Sequence, residues 1–212
     1  MRLLPGRVEI RYAVQYGEGG FTAGEARYLW ESRNGRYTLV STIEAKGLAS
    51  LFISGRITQA SEGSVNAGGL QPDQYTENKG ERRQEPARFL WPENQLILSG
   101  NRGSVALLPQ AQDLLSFPFQ LAVTARENEG EFSMAVSNGR KLQRYRFRVV
   151  GEERLNLPGR SVETLHLQGS RDGAGTLDVW LDRNAASLPV QVRTLDQKGK
   201  QVTLVAEEVA LK

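Results

Sequence analysis

Along most of the chain, apolar and polar residues alternate one by one, the period of a half-buried β-strand. RVEIRYAVQYG sends Val8, Ile10, Tyr12, Val14 and Tyr16 to one side and Glu9, Arg11 and Gln15 to the other. GEARYLWESRNGRYTLVSTIEAKG divides into two strands about Asn34-Gly35. That pair suits a type I′ turn, whose central residues both need positive φ. Further hairpins are expected about Asn138-Gly139, Asp172-Gly173 and Lys198-Gly199. Between them, GRITQASEG, LQPDQYTENKG, PARFLWP, NQLILSG and GSVALLP read as short strands punctuated by Gly, Pro and Asn. The polar run Glu77 to Arg88 reads as a turn with solvated strand ends.

One stretch departs from the alternation. In AQDLLSFPFQLAVTARENEG, residues Leu114, Leu115, Phe119, Leu121 and Ala122 form an apolar helical stripe, so a helix is predicted near 112–125. Asp113 is its expected N-cap or first-turn acid. Pro118 is expected to break or kink it. The whole reads as about a dozen antiparallel strands with one helix past the middle. So many strands must curl to bury one face. The expected fold is therefore all-β and mainly antiparallel: a single strongly curved sheet forming a barrel or half-barrel, with the helix plugging or flanking its concave side. With 212 residues and no low-complexity linker, residues 1–212 are read as a single β-rich domain.

Composition narrows the chemistry. The chain has no cysteine, which removes disulfides and thiolate catalysis. A net charge of +3 is too slight to point to nucleic acid. No run approaches the length of a membrane-spanning helix, and the N-terminal segment turns polar too soon for a signal peptide. If the natural protein is exported, its targeting segment is absent from this sequence and Met1 is a cloning methionine. No phosphate-binding loop, dinucleotide fingerprint or HExxH motif is present, and no cofactor is expected. The single histidine, His166, reads as an ordinary strand residue. Asp178 and Asp182, four apart on one strand face, read as solvated carboxylates too distant for a glycosidase pair. SRDGAGTLD reads as a plain turn rather than a calcium loop.

Two constellations remain. Trp30, Phe52, Phe89, Trp91, Phe117 and Phe119 are candidates for the lining of an apolar cavity between sheet and helix, set against a plain packed core. The strand RKLQRYRFRVV places Tyr145, Phe147 and Val149 on one face and Arg144, Arg146 and Arg148 on the other. That arginine row would meet phosphates, lipid headgroups or a protein, or simply be a solvated outer face. In GTLDVWLDRN, Leu177, Val179 and Leu181 share one face, while Trp180 lies with Thr176, Asp178 and Asp182 on the other. Two explanations are open for that tryptophan. Gln191 and Arg193 on the next strand cover the indole, or both faces of this strand are buried and the Trp180 side is a contact surface.

Several of these segments, in this order, resemble a known bacterial family. They are YAVQYGEGGFTAGEARYLWESRNGRYTLVSTIEAKGLASLF, GGLQPDQYTENKGERRQEPARFLW, QDLLSFPFQL, YRFRVVGEERLNLPGRSVETLHL and DVWLDRNAASLPVQVRTLDQKGKQV. The chain resembles the family called domain of unknown function 3108 over nearly its whole length, most specifically in the final W-L … LPV-V … D-x-x-G hairpin. The resemblance implies an exported periplasmic or envelope protein, with an N-terminal apolar segment that this chain lacks. It implies a β-rich fold like the open barrels that carry lipoproteins or lipids, and it brings no catalytic residues. Three readings follow: binding of a lipid or small amphiphile without catalysis; an interaction or assembly factor that meets an envelope protein through Trp180 or the arginine row; and, least favoured, a carboxylate hydrolase.

Overall fold

The computed structural model describes residues 4–46, 55–80, 82–127, 130–171, 175–184 and 186–212. The alternating segments form β1 (Arg7–Tyr16), β2 (Phe21–Arg33), β3 (Arg36–Ala45), β4 (Ile57–Asn66) and β5 (Gly69–Lys79). Shorter strands follow: β6 (Ala87–Leu90), β7 (Gln95–Ile97), β8 (Ser104–Ala106) and β9 (Gln112–Asp113). After the helix α1 (Phe117–Glu127) come β10 (Glu131–Ser137), β11 (Leu142–Leu157), β12 (Arg160–Ser170), β13 (Thr176–Asp182), β14 (Pro189–Leu195) and β15 (Gln201–Leu211).

All fifteen strands belong to one sheet, ordered β8-β7-β6-β5-β4-β3-β2-β1-β15-β14-β13-β12-β11-β10-β9. The chain starts in the middle, winds out to the β8 edge, crosses to β9 at the opposite edge, passes through α1, and winds back from β10 until β15 pairs with β1. Pairing is antiparallel throughout except for β9 with β10. The two edges do not pair, so the sheet is an open, mostly antiparallel half-barrel. Register shifts at Arg11/Tyr12, Val14/Gln15, Glu62/Gly63, Val149/Gly151 and Trp180/Leu181 supply the bends that let it curl. The Asn34-Gly35 turn has positive φ at both residues, 53° and 71°, as a type I′ hairpin requires. The Asp172-Gly173 turn lies outside the described residues.

The helix differs from its predicted bounds for a local reason. Gln112 and Asp113 extend alongside β10, and the Asp113 carboxylate accepts hydrogen bonds from the backbone N–H groups of Leu115 and Ser116, both at 2.8 Å. Ser116 is the N-terminal cap, its carbonyl accepting from Gln120 N–H at 3.0 Å. Pro118 is then the second helical residue. It neither breaks nor kinks the helix, because an N–H in the first turn has no intrahelical partner to lose.

Two apolar clusters meet at α1. On one side Trp30 stacks between Tyr37, at 5.2 Å, and Phe119, at 5.8 Å, among Ile10, Tyr12 and Leu39. On the other, Phe117 and Leu121 pack with Phe147, Leu167 and Val179. Each such side chain withdrawn from water contributes about 1.5–3 kcal/mol before entropy is counted. Polar clamps fix the helix position. The Gln120 amide accepts from Leu70 N–H at 2.7 Å and donates to the Gly68 carbonyl at 2.9 Å. Gly69 between them has φ +103°, and a Cβ there would stand 2.2 Å from Gln120 Oε1. Only glycine allows that approach.

Asp113 is fully buried, and Ser61, itself bonded to the Tyr37 hydroxyl at 3.0 Å, donates to it at 2.5 Å. Burial pushes its carboxyl up to about 6, against the lowering effect of those hydrogen bonds. The native state therefore holds one more proton than the unfolded chain between about pH 4 and pH 6, and stability from this group falls as pH rises through that window. The drop is roughly 3 kcal/mol. Asp113→Asn should remove it. In urea unfolding, the free-energy difference between wild type and variant should change by about that amount from pH 4 to pH 7.

Candidate functional site

Strand β13 is buried on both faces, and where β12 and β11 continue the sheet beside it each face carries a different chemistry. Cross-strand register sets Leu165 opposite Leu181 and Glu152 opposite Leu165 on the helix side. It sets His166 opposite Trp180, and Gln168 opposite Asp178, on the other.

On the helix side a cleft of about 320 Å³ opens between α1 and these strands. Ala122 and Ala125 line it from the helix, and Leu165 and Leu181 from the sheet. Two alanines at i, i+3 spacing hold the helix surface back where its Phe and Leu positions would fill the gap. At the mouth Arg183 pairs with Glu152, both more than half exposed. The connection after β13 borders the cleft, and Ala186 and Ser187 there hold positive φ of 52° and 56°, a strained conformation for side-chain-bearing residues. The cleft is small for a ligand site but within the usual range, with an apolar floor and a polar rim of Glu152, Arg183 and Ser187.

On the opposite face the one histidine is a hub. His166 Nε2 lies 2.9 Å from Asp178 Oδ1, and Nδ1 lies 3.1 Å from Glu153 Oε1. The ring stacks on Trp180 at 4.2 Å. The Trp180 indole N–H donates to Glu153, and the Arg193 guanidinium lies 5.0 Å over the indole while its Nη2 stands 3.4 Å from Asp178 Oδ2. Gln168 donates to Asp178 at 3.0 Å and accepts from Arg148 at 2.9 Å, which ties the cluster to the arginine row. Burial opposes the charge on Asp178, yet the hydrogen bonds from His166 and Gln168 and the charge of Arg193 outweigh it and hold the carboxyl below the usual range. The two carboxylates sit at opposite ring nitrogens and do not converge. Among the described residues no group of His, Asp and Glu is placed to hold a metal ion.

Several expectations change here. Asp178 and Asp182 are 1% and 3% exposed, so they are buried and bonded rather than solvated. His166 is no ordinary strand residue. Trp180 is 4% exposed and its contacts are made within the chain, so it offers no outward docking surface. The neighbouring-strand explanation does hold: Trp180 faces Gln191, and Arg193 faces Asp178. Of the aromatic candidates, Trp30 and Phe119 are brought together, as are Phe89 and Trp91 at 6.1 Å, and Phe117 belongs to the other cluster. The Trp91 N–H donates to the Pro72 carbonyl. Phe52 lies outside the described residues. Arg144, Arg146 and Arg148 are exposed along β11, the last two beside a polar cleft with Glu131, Gln168 and Ser170. The cleft residues Ala122, Ala125, Leu165 and Leu181 were missed. The available signal was a pair of small residues on an otherwise bulky apolar helix.

These features can be set against known proteins. The family described as Protein of unknown function (DUF3108) matches residues 11–206. The chain belongs to this DUF3108 family. Among solved structures, a beta-barrel-like protein of the DUF1849 domain from Brucella abortus aligns over 99% of both chains with a TM-score of 0.60 at 10% identity, which shows a shared fold. A Vibrio parahaemolyticus domain named for outer membrane lipoprotein sorting aligns over 98% of this chain and 86% of its own, at 11% identity and a TM-score of 0.32. A Parabacteroides distasonis protein named as a lipoprotein aligns over 97% and 95%, at 13% identity and 0.33. Those two scores are too low to extend the comparison. No curated protein matches the sequence.

Asp178→Ala should lower the unfolding free energy by about 3 kcal/mol, because it strands Arg193 and His166 against a buried face. The contribution is present above the ordinary carboxylate pKa and lost as pH falls through the depressed one. Denaturant titrations of both proteins at neutral and acid pH should therefore converge on acidification.

Proposed function

We propose that this DUF3108 protein binds an amphipathic molecule without catalysis in the bacterial cell envelope, taking the apolar part into the cleft between α1 and β12–β13. The observation that carries this is the cleft itself, a concavity with alanine and leucine walls and a single charged pair at its mouth. The Glu152–Arg183 pair is exposed and so contributes little to stability. Arg183 can exchange Glu152 for an anionic headgroup at low cost. In this reading the Phe117–Phe147 and Trp30–Phe119 contacts hold the helix in place on either side, and Phe89 and Trp91 lie outside the cleft. The envelope location rests on the family resemblance. A second reading, docking of an envelope protein on Arg144, Arg146 and Arg148, is favoured by their exposure as one row on β11.

A dansyl-labelled fatty acid tests the first reading. Wild type should bind it with enhanced fluorescence, and Ala122→Phe or Ala125→Leu should weaken binding at least about tenfold (1.4 kcal/mol). A bulky side chain that enters an open cleft should leave the melting temperature near wild type, whereas forcing it into a filled core costs about 1–3 kcal/mol. Arg183→Gln should weaken the fatty acid and spare the matching fatty alcohol. Absence of binding by wild type, or binding untouched by both cleft variants, refutes the assignment.

A further inference from the structure

Two large exposed apolar side chains are direct partners across a ladder: Tyr16, 45% exposed, and Phe21, 54% exposed, face each other at the end of β1 and β2. The connection between them is Gly17-Glu18-Gly19-Gly20, which offers almost no side chain to cover the rings. The hairpin does not stand alone. Gly17 N–H donates to the Gln201 carbonyl at 3.0 Å, which fastens it to the turn between β14 and β15. That turn brings Lys200 to 5.7 Å over the Tyr16 ring and presents Lys198 beside it, both exposed. Asp196, the acid of the turn, directs its carboxylate to the backbone N–H groups of Lys198 and Lys200, at 2.8 and 2.9 Å. Glu18 is the opposing exposed charge in the hairpin loop.

A phenyl ring, a phenol and two ammonium groups on long aliphatic stems share the tip made by these two adjoining hairpin ends. An apolar ring can enter the acyl boundary, while a phenol and lysine stems span the headgroup layer with their polar ends in water. The lysines select the sign of the surface. We propose that this tip docks the protein on an anionic lipid bilayer, with Phe21 and Tyr16 entering the interface and Lys198 and Lys200 meeting lipid phosphates. The inference is independent of the cleft, whose residues lie on other elements.

Flotation of the full chain with vesicles tests it. Wild type should float with phosphatidylglycerol-containing vesicles and stay behind with phosphatidylcholine alone. Tyr16→Ser with Phe21→Ser should reduce flotation at least about tenfold, and each of Lys198→Gln and Lys200→Gln about fivefold at low ionic strength. Melting temperatures should hold, since all four side chains reach solvent; should the aromatic variant fail to fold, the lysine variants alone decide. Failure of wild type to float with anionic vesicles overturns the proposal, as does flotation equal to wild type in the variants. Self-association in sedimentation velocity that depends on Phe21, without vesicle binding, also overturns it and gives the tip to a second copy of the chain.

Discussion

The seating of one helix in the concavity of an open sheet is the constraint on which the rest of the structure depends. A half-barrel exposes its inner face unless something fills it, and here α1 does so from both sides: Phe119 against Trp30, Phe117 against Phe147. Dispersion and burial give the helix its affinity for the sheet but little directionality. The direction comes from polar contacts, the Gln120 amide on the turn before β5 and the Asp113 carboxylate at the helix entrance. The second of these is held at a cost. A fully buried carboxylate with raised pKa opposes folding at neutral pH, yet its oxygens satisfy two backbone donors and Ser61 that would otherwise be orphaned.

The same seating leaves the small cleft. Where the helix turns Ala122 and Ala125 toward β12 and β13, its backbone is held by the bulky contacts at Phe117, Phe119 and Leu121 and cannot settle closer. The floor of that cleft is the reverse side of the histidine cluster, for Leu165 and Leu181 are chain neighbours of His166 and Trp180. Strands with an unsatisfied back would have room to shift. Here the back is pinned by charge-assisted hydrogen bonds and stacked rings. This also answers why a tryptophan shares a face with aspartates: β11 returns to touch β15, enclosing that face. Inside the curl Trp180 supplies apolar area and one N–H for Glu153.

Alternation and turn chemistry are local properties, and they made most of the architecture legible: the strands, the Asn34-Gly35 hairpin, the curled antiparallel sheet and the existence of the helix. The order of motifs was enough to indicate the family. The helix boundaries were less legible, because Asp113 and Pro118 have meanings that depend on whether the chain before them is already paired, and the β9–β10 contact that pairs it is non-local. The burial of Asp178 and Asp182 could not be read from their own strand, since an alternating pattern reports one dry face and assumes the other is wet. The histidine cluster draws Glu153, His166, Asp178 and Arg193 from four strands. Their meeting requires a register that includes the bulge at Val149/Gly151. A slip of one residue would turn each to the other face. The sequence by itself determined which segments become strands, where they turn and that the sheet must curl, since these follow from each residue and its near neighbours. Only the tertiary structure decided which faces are enclosed, which small residues leave a cleft and which charges meet, since those depend on distances between residues far apart in the chain.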